Sequence, residues 1–145
     1  MKQNQQLDLD KAEKFIQQIT KKAGDLTKKY YGKIGVAYTK QNKGDVVTKA
    51  DLLSNNLIVN AIKKNYPTHG IISEELKAEN ANAEYVWVID PLDGTRNYST
   101  KTPMYGVIVA LAHKKKVIMG AINIPILDEM YFAREGIVTG KHILH

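Results

Sequence analysis

Apolar residues recur at threes and fours from Leu9 to Tyr30: Leu9, Ala12, Phe15, Ile16, Ile19, Ala23 and Leu26, with lysine and glutamine between them. That spacing lays one apolar stripe along a helix and predicts an amphipathic helix over this stretch. Gly32, Gly35 and the polar run Thr39 to Gly44 interrupt the pattern and read as a loop, with room for a short strand at Val36-Ala37-Tyr38. A second helical period, Ala50, Leu53, Leu57, Ile58, Ala61 and Ile62, opens at Thr48 and is stopped by Tyr66-Pro67. Beyond it the texture becomes β. Gly70 to Ser73 reads as a short strand leading into Glu74-Glu75, Glu79 to Glu84 as a polar connection, and Tyr85 to Ile89 as a buried strand that Asp90-Pro91 brings to a stop. Tyr105 to Ala112 and Val117 to Ile124, joined by His113 to Lys116, predict an antiparallel hairpin, and Glu129 to Arg134 a further strand after a turn at Pro125 to Asp128. Helices first and strands after predict an α+β layer: two N-terminal helices packed on one face of a largely antiparallel sheet.

Length and composition narrow this picture. A chain of 145 residues can bury one real core but is short for two domains. It has no cysteine, so disulfides and thiolate metal sites are excluded and oxygen donors remain, which suit Mg²⁺, Mn²⁺ or Ca²⁺ better than zinc. Met1 to Asp10 lacks the apolar centre of a signal peptide, and no later run has the length of a membrane span, so the expectation is a cytoplasmic protein with no membrane partner. The net charge of +6 is mostly lysine, with Arg96 and Arg134 the two arginines. Without arginine clusters or interleaved aromatics it gives no ground for a specific nucleic-acid partner. It reads as a solvated lysine surface, or else as a field that draws in anionic substrates.

The candidate chemistry gathers at Asp90-Pro91-Leu92-Asp93-Gly94-Thr95. Pro91 holds Asp90 extended, Gly94 lets backbone approach a ligand, and Thr95 can cap a following helical turn whose free N–H groups favour an anion. Asp90 and Asp93 stand three apart across the turn, and Glu74 follows an independent strand. Clustered carboxylates demand cations or raised pKa values. Asp-Pro and Asp-Gly are also ordinary turn dipeptides, so turn and metal site are both open on these residues alone. Thr48-Lys49-Ala50-Asp51 fits a capping box, which by itself accounts for Asp51. Glu75 reads as a surface or supporting acid, and His69, His113, His142 and His145 share no spacing that suggests a metal site or relay.

The run Trp87-Val88-Ile89-Asp90-Pro91-Leu92-Asp93-Gly94-Thr95-Arg96-Asn97-Tyr98 resembles the signature of the inositol monophosphatase family of Mg²⁺-dependent, lithium-sensitive phosphatases. Two upstream blocks occur in the same order, Asp45-Val46-Val47-Thr48-Lys49-Ala50-Asp51 and Ile71-Ile72-Ser73-Glu74-Glu75, and the strands through Gly120-Ala121-Ile122 and Met130 to Arg134 also fit. The resemblance covers nearly the whole chain and implies the N-terminal half of a layered αβαβα fold. It implies that Glu74, Asp90 and the Leu92 carbonyl ligate an activating Mg²⁺, and that Asp90 and Asp93 bind a second. It also implies that Thr95 and Glu74 orient and deprotonate the attacking water, with Asp51 close by. The amides of Gly94 and Thr95 would hold the phosphate, so that Glu74, Leu92, Asp93, Gly94 and Thr95 border the substrate.

Departures from the family pattern bear on function. Ser73 stands where glycine usually precedes the acid pair, and Tyr98 where phenylalanine is usual. The Trp-Asp-type motif that completes the second metal site in family enzymes has no counterpart here, and the glycine-rich hairpin is compressed into Ile137 to His142. The expectation is one incomplete domain over 1–145 and a phosphomonoesterase for inositol 1-phosphate or a similar small sugar or polyol phosphate, impaired by truncation. Its partners would be that phosphate, the missing half or a second copy of the chain. The alternatives are an inactive binding or regulatory module, and a relative acting on fructose 1,6-bisphosphate or a 3′-phosphorylated nucleotide.

Overall fold

A computed structural model describes residues 6–33, 36–39 and 46–143. The predicted first helix is α1 (Leu9–Tyr30), opened by the Asp8 carboxylate, which accepts the Lys11 amide at 3.1 Å. Its apolar stripe buries Ala12, Ile16, Ile19 and Ala23. A short antiparallel pair, β1 (Val36–Thr39) and β2 (Val46–Thr48), precedes α2 (Lys49–Asn65). The loop read between them, Lys40 to Gly44, lies outside the described residues. The remaining strands form one sheet: β3 (Gly70–Ser73), β4 (Leu76–Glu79), β5 (Tyr85–Asp93), β6 (Gly106–His113), β7 (Lys116–Ile124), β8 (Glu129–Arg134) and β9 (Ile137–Ile143). The five-residue helix α3 (Thr95–Ser99) follows β5, and a 3₁₀ turn at Pro125–Leu127 follows β7.

The strand order is β4-β3-β5-β6-β7-β8-β9, with β3 and β5 parallel and every other neighbour antiparallel. Both long helices pack on one face. Ile16, Ile19, Ile58 and Ile62 meet Trp87, Ile89, Val109, Leu111, Met119 and Phe132 there, all essentially out of solvent. Each such aliphatic or aromatic side chain contributes about 1.5–3 kcal/mol relative to exposure. At Gly24, an added Cβ would fall 1.7 Å from Asn123 Oδ1, so α1 rests directly on β7 at this point. Side chains alternate across a strand, so Ile72, Val88, Ile108, Ala110, Ile122 and Tyr131 line the opposite face. That face carries no helix among the described residues, and an open groove of about 680 Å³ runs along β6 to β8 there. No helix of the described residues is long and apolar enough to cross a membrane.

Two elements depart from the sequence reading. Residues 76–79, which carry no buried face, form the edge strand β4 beside β3; without a buried side there is no alternation to read. Pro91 does not end β5. The strand runs to Asp93 with a register irregularity between Asp90 and Asp93, a bulge that accommodates a residue lacking an N–H.

Candidate active site

The site forms where β3 and β5 end beside the start of α2. Parallel pairing sets Ser73 beside Ile89, so Glu74 and Asp90 emerge from adjacent strand ends. By alternation Asp90, opposite Ile108, leaves the sheet on the side away from the helices, while Ser73 faces α2 and bonds to Asn55. In a regular strand, Asp90 and Asp93 would point to opposite faces. Here Asp90 pairs with Ile108 and Asp93 with Gly106, so three steps on β5 match two on β6, and the extra residue returns both carboxylates to one side.

Crowding shows in the chemistry of Asp90. Burial, then the charge of Glu74, then the charge of Asp93 and a hydrogen bond with it, push the Asp90 carboxyl up to about 7. Its Oδ1 is buried without a hydrogen-bond partner. A buried carboxylate oxygen left without a donor is what a cation would satisfy. Glu74 and Asp93 are exposed, and among the described residues no three Asp, Glu or His side chains close around a single point that could hold an ion. The donor set therefore suits a hard cation in chemistry, with the carboxylates spread rather than gathered.

Asp51 does two jobs, one with each oxygen. Oδ2 accepts the Thr48 amide at 2.9 Å and the Thr48 hydroxyl at 2.6 Å, completing the capping box that starts α2. Oδ1 accepts the Thr95 hydroxyl at 2.8 Å. The side chain is 1% exposed, and burial raises its pKa against the lowering effect of the Thr48 and Thr95 hydrogen bonds, with the charge of Glu75 adding to the rise. Thr95 Oγ1 also lies 3.1 Å from the Leu92 carbonyl, which ties the first residue of α3 to the end of β5. Gly94 makes the connection at φ +84°, and an added Cβ would meet the Met104 carbonyl at 3.1 Å. Glycine is required there on both counts.

The structure thus joins Asp51 to Thr95 and sets Glu74 and Asp93 around Asp90. His69 and His113 stay apart from this group: His69 Nδ1 accepts from Trp87 Nε1 at 3.0 Å, and His113 pairs with Glu84 at 2.9 Å. The side chain of His142, and His145, lie outside the described residues. Ser54 and Asn55 are site supports the sequence reading did not single out, and Tyr98, noted there only as a departure from phenylalanine, is another. Ser54 and Asn55 follow Asp51 by three and four residues, the spacing that brings side chains onto one helix face, and that was the available signal. Tyr98 is 1% exposed and its hydroxyl donates to the Thr27 carbonyl at 2.8 Å, so the change from phenylalanine adds a bond to α1.

A helix-backed, mostly antiparallel sheet whose one parallel strand pair among the described residues ends in acidic side chains is an α+β architecture with an oxygen-rich strand-end site. The chain belongs to the inositol monophosphatase family, whose family model matches residues 8–142. It is 36% identical over 124 residues to a fructose-1,6-bisphosphatase/inositol-1-monophosphatase of Aquifex aeolicus, a match covering 83% of this chain and 47% of the relative. It is 34% identical over 119 residues to a histidinol-phosphatase of Chlorobaculum parvum, covering 82% and 46%. In structure it is similar to the extragenic suppressor protein suhB of Bartonella henselae, with a TM-score of 0.83 and 29% identity over 91% of this chain and 51% of that one. The chain spans about half the length of these proteins or less.

Proposed function

We propose that this chain carries the cation- and phosphate-binding centre of a Mg²⁺-dependent phosphomonoesterase acting on inositol 1-phosphate or a similar small sugar or polyol phosphate. The carrying observation is the charge-crowded Asp90, one oxygen buried without a partner, with Thr95 further along the same turn bonding its hydroxyl to buried Asp51. Glu74, Asp90, Asp93 and the Leu92 carbonyl are the residues that would hold Mg²⁺, an all-oxygen set suited to a hard ion. A divalent cation held there supplies positive charge against the phosphoryl oxygens and makes a bound water more acidic.

The chain's own groups supply the rest. With its proton directed at Asp51 Oδ1, the Thr95 oxygen turns lone pairs outward, able to orient a water and take its proton while Asp51 accepts in turn. Glu74 offers a second acceptor. The Gly94 and Thr95 amides, at the head of α3, would donate to the phosphate. Burial of Asp51 keeps the relay out of bulk solvent, and its raised pKa moves it toward the range in which a carboxylate can carry a proton near neutrality. Lithium would inhibit by competing for the second cation position. The names of similar chains span bisphosphate, inositol phosphate and histidinol phosphate chemistry, which supports the phosphomonoester class and leaves the alcohol open.

Phosphate release from inositol 1-phosphate, fructose 1,6-bisphosphate, a 3′-phosphorylated nucleotide and histidinol phosphate, with and without Mg²⁺, tests this. The reading expects release with Mg²⁺ only and a preference for inositol 1-phosphate. The bare sheet face favours a second reading, an inactive binding module, and failure with every phosphomonoester would support it.

A further inference from the structure

Two adjacent polar side chains on α2, Ser54 and Asn55, are 0% and 1% exposed, yet stand outside the hydrogen-bond chain that links Thr48, Asp51 and Thr95. Ser54 Oγ donates to the Pro91 carbonyl at 2.6 Å. Asn55 Oδ1 accepts from Ser73 Oγ, which in turn accepts the Glu75 amide at 3.3 Å. The two attachment points are not arbitrary. Pro91 lies inside the β5 bulge that returns Asp90 and Asp93 to one side, and Ser73 immediately precedes Glu74. Buried hydroxyl and amide groups oppose folding unless bonded, whereas apolar side chains at these positions of α2 would pack without that cost. What the polar pair adds is a fixed distance between the helix and two strand ends.

We infer that Ser54 and Asn55 are positioning residues that clasp the ends of β5 and β3 to α2 and so set the separation of the Glu74, Asp90 and Asp93 carboxylates. The inference rests on reading those carboxylates as cation-binding. The clasp's hydrogen bonds go to the Pro91 carbonyl and to Ser73 Oγ, not to the Glu74, Asp90 or Asp93 carboxylates, so it acts through the strand ends rather than on an ion. Its two arms hold neighbouring parallel strands to one rigid helix, and the helix that carries them also carries Asp51. Hydroxyl, amide and carboxylate therefore fix the water-activating pair and the cation-binding group in a common frame. Supports of this kind act on affinity for the ion through geometry.

Calorimetric titration of the full chain with Mn²⁺ alone tests this, with the metal-free melting temperature and amide exchange at Asp93, Gly94 and Thr95 followed in parallel. Ser54→Ala is expected to melt cooperatively, to exchange those three amides faster, and to bind Mn²⁺ roughly ten-fold more weakly or worse. Ser54→Cys, which keeps a weak donor, is expected to recover part of that loss. Ser73→Ala removes the other arm at a half-buried position and is expected to weaken Mn²⁺ in the same way, whether or not Ser54→Ala folds. Folded variants with unchanged Mn²⁺ affinity would overturn the inference while leaving the phosphatase reading intact. An unsubstituted chain that does not bind Mn²⁺ would overturn both.

Discussion

Asp51 and Asp90 show how far two carboxyl groups of one site can be separated by their surroundings. Asp51 is buried but receives three donors, from the Thr48 amide, the Thr48 hydroxyl and the Thr95 hydroxyl. Asp90 is crowded by two like charges and keeps one oxygen without a donor. The Thr95 contact makes a specific demand. Thr95→Val keeps shape and loses the hydroxyl; Asp51 retains both Thr48 bonds, so the fold should survive at a lower melting temperature because Oδ1 is left buried without its donor, and kcat for phosphate release is expected to fall by about 10²–10⁴ with little change in KM. For Asp90 the sign follows from its raised pKa. Between the ordinary value of 3.8 and about 7 the folded chain binds more protons than the unfolded one, so metal-free stability falls as pH rises through that window. Urea unfolding from pH 4 to 8 should show that decline, and Asp90→Asn should flatten it. Of these roles, the capping box was legible because its four residues are contiguous. The second oxygen of Asp51 was not, because its partner Thr95 lies 44 residues away and only the fold brings them together.

Elements were readable in proportion to how one-sided their burial is. The stripe of α1 faces a sheet on one side and solvent on the other, so its period gave Leu9 and Tyr30 as the bounds observed. β6 and β7 were readable from their Val and Ile content, and burial alternates over Val107 to Leu111 and Met119 to Asn123, where one face meets the helices. The strand at 76–79 was hidden because all its side chains are exposed, and the extension of β5 past Pro91 because bulge geometry, not propensity, accommodates it. The β6–β7 connection shows a further local compromise. Lys114 and Lys115 sit at φ +49° and +68°, the left-handed pair that a tight two-residue hairpin loop needs and that lysine adopts with strain. Lys115→Gly is therefore expected to stabilise the chain by about 1 kcal/mol, the cost of left-handed backbone in an L-residue offset by the entropy of glycine in the unfolded chain. Equilibrium urea denaturation measures it, and a destabilised variant would mean that the loop is not strained.

At the scale of the molecule, one sheet face is packed by helices and the other carries none among the described residues, with Ile72, Val88 and Ile122 between 38% and 39% exposed. Asp90 pairs with Ile108, whose side chain is on that face, while α2 supplies Asp51, Ser54 and Asn55 from the other. The family signature was legible in the sequence because its residues are consecutive and chemically unusual; the spread of the three carboxylates was not, because it depends on the β3–β5 register and the bulge. Asp90 and Asp93, brought to one side by that bulge, are proposed to serve a cation that hydrolysis requires. Phosphate release from inositol 1-phosphate by the full chain, measured across a Mg²⁺ titration for the unsubstituted protein and for Asp93→Asn, tests it most directly. Release should rise with Mg²⁺ and be lost in Asp93→Asn with the fold retained. Release that is independent of Mg²⁺, or that survives Asp93→Asn unchanged, would contradict it.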